Sequence, residues 1–148
     1  MKSLYLFLCL FGSLVLVSCN DSKNEIIFHK SHEPSRANTP FSDAVEVGDL
    51  LFLTGQIGKN HATGKMAEGG IEAETKQVIE NIKAVLEHHN LSLDHVVKCT
   101  VILKDINDFS AFNAVYTEYF TKKPARTTYA AAGLAANASI EIDVIASK

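Results

Sequence analysis

The stretch Val96-Val97-Lys98-Cys99-Thr100-Val101-Ile102-Leu103 is almost continuously apolar or β-branched. It reads as a largely buried strand. Beyond it, Phe109, Phe112, Tyr116, Tyr119 and Phe120 recur on one helical face, and Asn107 stands where a cap can accept from the free amides of a turn beginning at Asp108. Arg126 to Ala131 follows as a strand. Ser139 to Ala146 is the last, alternating Ile140, Ile142 and Val144 with Glu141, Asp143 and Ile145. Upstream, Ile71, Val78, Ile79, Ile82, Val85 and Leu86 form one stripe of a helix over Ile71 to His88. Gly58 to Gly70 reads as a long flexible connection. Ala44 to Val47 and Leu50 to Thr54 flank Gly48-Asp49 as a hairpin, Ser31 to Pro40 reads as a loop, and Glu25 to Phe28 as a short strand. The order β, β-hairpin, α, β, α, β, β predicts an α+β fold in which two helices cover one face of a mixed sheet. The other sheet face is apolar too and needs a cover, which argues for self-association.

The composition suits one compact domain: 148 residues, 47% hydrophobic, 21% charged, with 8 Gly and 3 Pro. Disorder and collagen are excluded on that ground, a repeat array by the absence of any self-similar segment, and a net charge of −3 offers no footprint for nucleic acid. Lys2 followed by the apolar run Leu4 to Val17 is too short to span a bilayer and reads as an export signal over residues 1–18. Leu16-Val17-Ser18-Cys19 resembles a lipobox, with Cys19 as the lipid acceptor, residues 19–24 as a tether and 25–148 as the folded domain. This reading expects a bacterial protein anchored by lipid in the cell envelope, on the periplasmic or outer-membrane side. Loss of residues 1–18, which hold one basic residue and no acidic one, takes the net charge from −3 to −4. Only Cys99 then remains in the domain, so neither an intrachain disulfide nor a cysteine metal site is expected.

Arg126 and Thr128 lie two apart on one strand, and Glu141 and Asp143 two apart on another, so each pair shares a face. Were the strands close, Arg126 could meet Glu141. A guanidinium binds a carboxylate through two parallel hydrogen bonds, and a nearby carboxylate can deprotonate water, which together suit hydrolysis of a small carboxylated substrate. A surface ion pair is the plainer reading of the same residues. His88 and His89 fall at a helix end, His29 and His32 near the N-terminal loop, and His61 and His95 stand apart. No metal site is expected from that spacing. Cys99 reads as an inert core thiol, and no glycine-rich phosphate loop opens a helix.

Six segments then combine: Thr54-Gly55-Gln56-Ile57-Gly58, Glu80-Asn81-Ile82, Val97 to Val101, Lys104 to Phe109, Pro124-Ala125-Arg126-Thr127 and Ile140 to Ala146. Together they resemble the Rid/YjgF family of reactive-intermediate deaminases over residues 25–148. The resemblance implies a chorismate-mutase-like α+β protomer, a barrel-centred homotrimer and a ligand cleft at each subunit boundary. It implies cofactor-free hydrolysis of 2-imino and 2-enamino acids to 2-keto acids and ammonia. Arg126 would anchor the substrate carboxylate and Glu141 would position the attacking water. Asn113 and Gly55 match substrate-binding pocket positions, and Phe41, where a tyrosine is usual, and Thr128, where a cysteine is common, fall at the other two. The alternative is a non-catalytic carboxylate-binding or interaction module of the same fold. A ribonuclease or translation inhibitor, also associated with the family, fits the acidic charge poorly.

Overall fold

A computed structural model describes residues 25–148. The expected export signal over 1–18, the tether over 19–24 and the lipid acceptor Cys19 lie outside the described residues. Seven strands form one sheet: β1 (Ile26–His29), β2 (Ala44–Val47), β3 (Leu50–Leu53), β4 (Gln56–Ile57), β5 (Val96–Leu103), β6 (Ala125–Ala130) and β7 (Ile140–Ser147). Their order is β1-β2-β3-β7-β5-β6, and β4 continues along the β3 side of β7. β6 runs parallel to β5 and the other pairings are antiparallel, so the sheet is mixed. Two helices, α1 (Gly70–His88) and α2 (Phe109–Tyr119), pack on each other over one face. The α+β class is as expected.

The alternation of β7 explains why the sheet has one closed and one open side. Ile140, Ile142, Val144 and Ala146 are buried with Val78, Ile79, Ile82 and Leu86 of α1 and Phe112 and Tyr116 of α2. Each fully buried aliphatic side chain contributes roughly 1.5–3 kcal/mol. Glu141, Asp143 and Ile145 therefore face the other way. On that open side Phe28, Val45, Phe52 and Ile145 are successive cross-strand partners, with Phe28 69% and Phe52 38% exposed. The row is apolar and is not covered by the described residues of one chain.

Local chemistry accounts for the departures from expectation. The α2 stripe is as expected, but the cap is Asp105 rather than Asn107: its carboxylate accepts from Asn107 N at 2.9 Å and opens a 3-10 turn over Ile106–Asp108. β4 was not expected, being two residues long and too short for periodicity to register. The connection after Gly58 is closed rather than loose. Lys59 bridges Met66, Asn60 Oδ1 accepts from Ala62 N and Thr63 N at 3.0 Å each, and buried Asn81 donates to Ile57 O at 3.1 Å and Lys59 O at 2.9 Å. Buried Glu74 fixes the start of β7, its carboxylate accepting from Ser139 N at 2.8 Å and Ser139 Oγ at 2.7 Å.

Candidate functional site

The expected site residues fall in two clefts. The first, about 460 Å3, lies where β3 gives way to β4 and is lined by Phe41, Thr54, Gly55 and Glu141 together with Arg36, Gln56 and His61. Glu141 approaches Gly55 so closely that a side chain there would collide with its carboxylate. Burial, reinforced by the Asp143 carboxylate, holds the Glu141 proton affinity above the ordinary range. A carboxyl shifted in that direction is a stronger base when ionised and so better suited to take up and return a proton.

The second cleft, about 360 Å3, is lined by Asn113, Tyr116, Thr117, Phe120, Pro124 and Arg126 among others. β6 is in register with β5 so that Arg126 lies beside Cys99 and Thr128 beside Val101, both core-facing. Arg126 therefore turns to the helix side, its guanidinium 4.5 Å from the Tyr116 ring centre, 5.2 Å from Phe112 and 5.7 Å from Phe109. Aromatic faces attract the cation without using its N–H donors along the edge, which stay available for a carboxylate. Tyr116 donates to Cys99 Sγ at 3.3 Å. Burial pushes the Cys99 thiol up to about 11, so it is not a nucleophile at neutral pH. Thr128 lines neither cleft, and its buried hydroxyl has no hydrogen-bond partner among the described residues.

Within one chain, then, Phe41, Gly55 and Glu141 come together, Asn113 and Arg126 come together, and the two sets lie on opposite sides of the sheet. β5 runs between the strands bearing Arg126 and Glu141, so these two do not meet in one protomer. Arg36, Gln56 and His61 went unrecognised in the sequence. Gln56 sat inside a quoted motif without a role, and Arg36 lay in a segment read only as a loop. The separated histidines also converge: His29 and His89 rings lie 4.5 Å apart, and His32 and His88 4.7 Å. Among the described residues no group of three or more His, Cys, Asp or Glu side chains is arranged to hold a metal ion.

The family described as endoribonuclease L-PSP matches residues 30–148. A RutC family protein of Pyrococcus abyssi is 45% identical over 84% of this chain and 97% of its own length. Protein HMF1 of Saccharomyces cerevisiae is 46% identical over 76% of this chain and 87% of its own. The 2-iminobutanoate/2-iminopropanoate deaminase of Capra hircus is 43% identical over 72% and 79%. Among solved structures, a yeast protein superposes with TM-score 0.78 at 42% identity, covering 84% of this chain and 99% of its own. The Escherichia coli YjgF product gives 0.76 at 32%, covering 82% and 98%. Escherichia coli TdcF with bound serine gives 0.75 at 28%, again covering 82% and 98%.

These matches correct the expected location. Relatives this similar come from an archaeon, a yeast and a goat, so a lipid-anchored protein of the bacterial cell envelope does not stand as the reading. Membrane anchoring through Cys19 finds no support in them. Among the described residues no helix is long and apolar enough to cross a membrane.

Proposed function

The chain belongs to the endoribonuclease L-PSP family, and from that premise we propose that it hydrolyses 2-imino and 2-enamino acids to 2-keto acids and ammonia. The observation that carries this reading is the Glu141 carboxyl, held against Gly55 in a cleft with its proton affinity raised. The deaminase of Capra hircus, 43% identical, supports the substrate class.

A protonated imine carbon is already electrophilic, so the protein's task is to orient it and supply a base. Ionised Glu141 takes a proton from water as the water oxygen bonds to C2 and the C=N electron pair moves onto nitrogen. The same carboxyl then returns the proton to nitrogen. The C2–N bond breaks and ammonia leaves as a lone pair on the new hydroxyl oxygen closes the carbonyl, the hydroxyl proton passing to the again ionised Glu141 and from there to ammonia or water. An enamine enters the same path once C3 has been protonated. Arg126 binds the substrate carboxylate through its guanidinium fork, Asn113 donates an amide hydrogen bond beside it, Phe41 and the Gly55 backbone wall the cleft, and Thr128 supports the Arg126 strand. Because Arg126 and Glu141 lie on opposite sides of the sheet, the complete site takes Arg126 from one copy and Glu141 from another. A homotrimer closing over the apolar row Phe28, Val45, Phe52 and Ile145 supplies both copies and covers that face.

Keto-acid release from imines made in situ by an amino-acid oxidase tests the reading. Acceleration by wild type that disappears in Arg126→Ala and in Glu141→Ala is expected; no acceleration across small, aliphatic and aromatic imines would refute it. The relative holding serine favours a second reading, a binding module for small carboxylated ligands without turnover. Retained ligand binding with no keto-acid release would select it. RNA cleavage, which the family's descriptive name suggests, is disfavoured by the net charge of −3.

A further inference from the structure

Arg36 is a second guanidinium in the molecule's clefts, and it lies on the Glu141 side. Its Nη1 donates to Gln56 Oε1 at 2.6 Å and to His61 Nε2 at 3.0 Å, while Nη2 lies 2.8 Å from Asp43 Oδ1. The last contact is an ion pair that is not aligned as a hydrogen bond, leaving Oδ1 without an aligned donor. Asp43 is only 3% exposed and is itself fixed by Ser31, whose hydroxyl donates to Oδ2 at 2.7 Å. Burial and the neighbouring Arg36 charge lower the proton affinity of His61, so its Nε2 is an acceptor and Arg36 the donor. The Phe41 ring lies 5.8 Å from the guanidinium carbon.

The group is thus braced by a buried carboxylate, an amide and a neutral imidazole, and both aligned hydrogen bonds leave from one of its three nitrogens. A planar fork held this way loses little freedom on binding a ligand, and its remaining donors suit a carboxylate. The cleft also carries Glu141, so a monoanionic group is accommodated better than a dianionic phosphate. At about 460 Å3 it falls within the ~300–1,000 Å3 range of pockets for ligands much larger than a three-carbon acid.

We propose that Arg36 determines specificity in the Glu141 cleft by binding a second carboxylate at the end of the ligand's side chain. The preferred substrates are then the 2-imino acids of dicarboxylic amino acids. This rests on the deaminase reading for the substrate's reacting end, but the second-carboxylate contact stands on Arg36 itself.

The test is calorimetric binding of two product-type probes, 2-oxoglutarate and 2-oxobutanoate, to the full chain. Arg36→Met alone would strand the buried Asp43 charge and risk folding. Arg36→Lys and the double change Arg36→Met with Asp43→Asn are used instead, each checked by circular dichroism. Wild type is expected to bind 2-oxoglutarate about tenfold more tightly than 2-oxobutanoate, the scale of one charge-assisted contact, and both variants to lose most of that preference. A merely structural tie would move stability without moving the ratio. Equal affinities in wild type, no binding of either probe, or an unchanged preference in both variants would overturn the proposal. A preserved preference without turnover of any imine would refute the deaminase reading and leave the Arg36 assignment standing.

Discussion

Arg126 and Glu141 face away from each other: Arg126 lies against the rings of α2 on the helix-covered side of the sheet, Glu141 lies against Gly55 on the open side, and β5 separates their strands. A reaction using both side chains must draw them from two copies. Arg126→Ala and Glu141→Ala, each inactive alone, should therefore complement when unfolded together in equal amounts and refolded. In a cyclic assembly with one such boundary per site, about a quarter of the sites regain both wild-type side chains. Recovery near that fraction of wild-type keto-acid release is the expected result; its complete absence in mixed oligomers would exclude a shared site.

Glu141 also sets a pH dependence. Its raised proton affinity places the acid limb of kcat/KM above the ordinary carboxylate range of about 4.3. Asp143→Asn removes the like charge beside it and should move that limb to lower pH. The sign for stability follows from the same shift. The unfolded chain releases this proton first, so the folded state loses stability as pH rises from the ordinary glutamate value through the raised one. Glu141→Gln should gain on wild type across that window in thermal melts, with no gain below it.

Gly55 and Gly58, three residues apart, should respond differently to alanine. At Gly55 a Cβ meets the flexible end of Glu141, so the side chain swings aside and the fold survives. Displacing a reacting group by about 1 Å can cost on the order of 100-fold in rate. At Gly58 a Cβ would sit 2.8 Å from Glu74 Cα, which belongs to the α1 backbone. Gly58→Ala should therefore appear in the melting temperature, and Gly55→Ala in kcat/KM.

Asn81→Ala removes both donors that hold the carbonyls of Ile57 and Lys59 at the rim of the Glu141 cleft. A cost of about 1–3 kcal/mol in urea unfolding is expected, because two backbone carbonyls lose their donor and Gln77 Nε2 its acceptor.

Thr128 carries a buried hydroxyl with no partner among the described residues, so Thr128→Val replaces a group unsatisfied there by one of the same shape. Stability should rise by roughly 1 kcal/mol if nothing else satisfies the oxygen. A fall instead, together with weaker binding of 2-oxobutanoate, would mean that the hydroxyl finds its partner in the ligand or in a second copy.

The sequence carried the long elements well because their periodicities are long. Eight residues of β5 and the α1 stripe repeat often enough to fix both type and inward face. The alternation of β7 likewise identified Glu141 as facing opposite to Ile140 and Ile142. What spacing could not convey was that β6 lies beyond β5, with its register placing Arg126 beside the core-facing Cys99. Strand order and the facing of a second strand are decided by tertiary pairing. Arg36 was hidden for a different reason: its surroundings come from Asp43, Gln56 and His61, up to 25 positions away in the chain. The convergence of His29 and His32 with His88 and His89 was invisible on the same ground.

The segment between β1 and β2, which bears Arg36 and Phe41, contributes no strand to the sheet and no residue to the buried apolar cluster. Substitutions there redraw one wall of the Glu141 cleft while the β5–β7 and α1 packing stays as it is. In evolutionary terms the two jobs are separable: descendants of one scaffold can exchange the wall that meets the ligand through these loop positions while the Glu141 carboxyl and its supporting core are inherited intact.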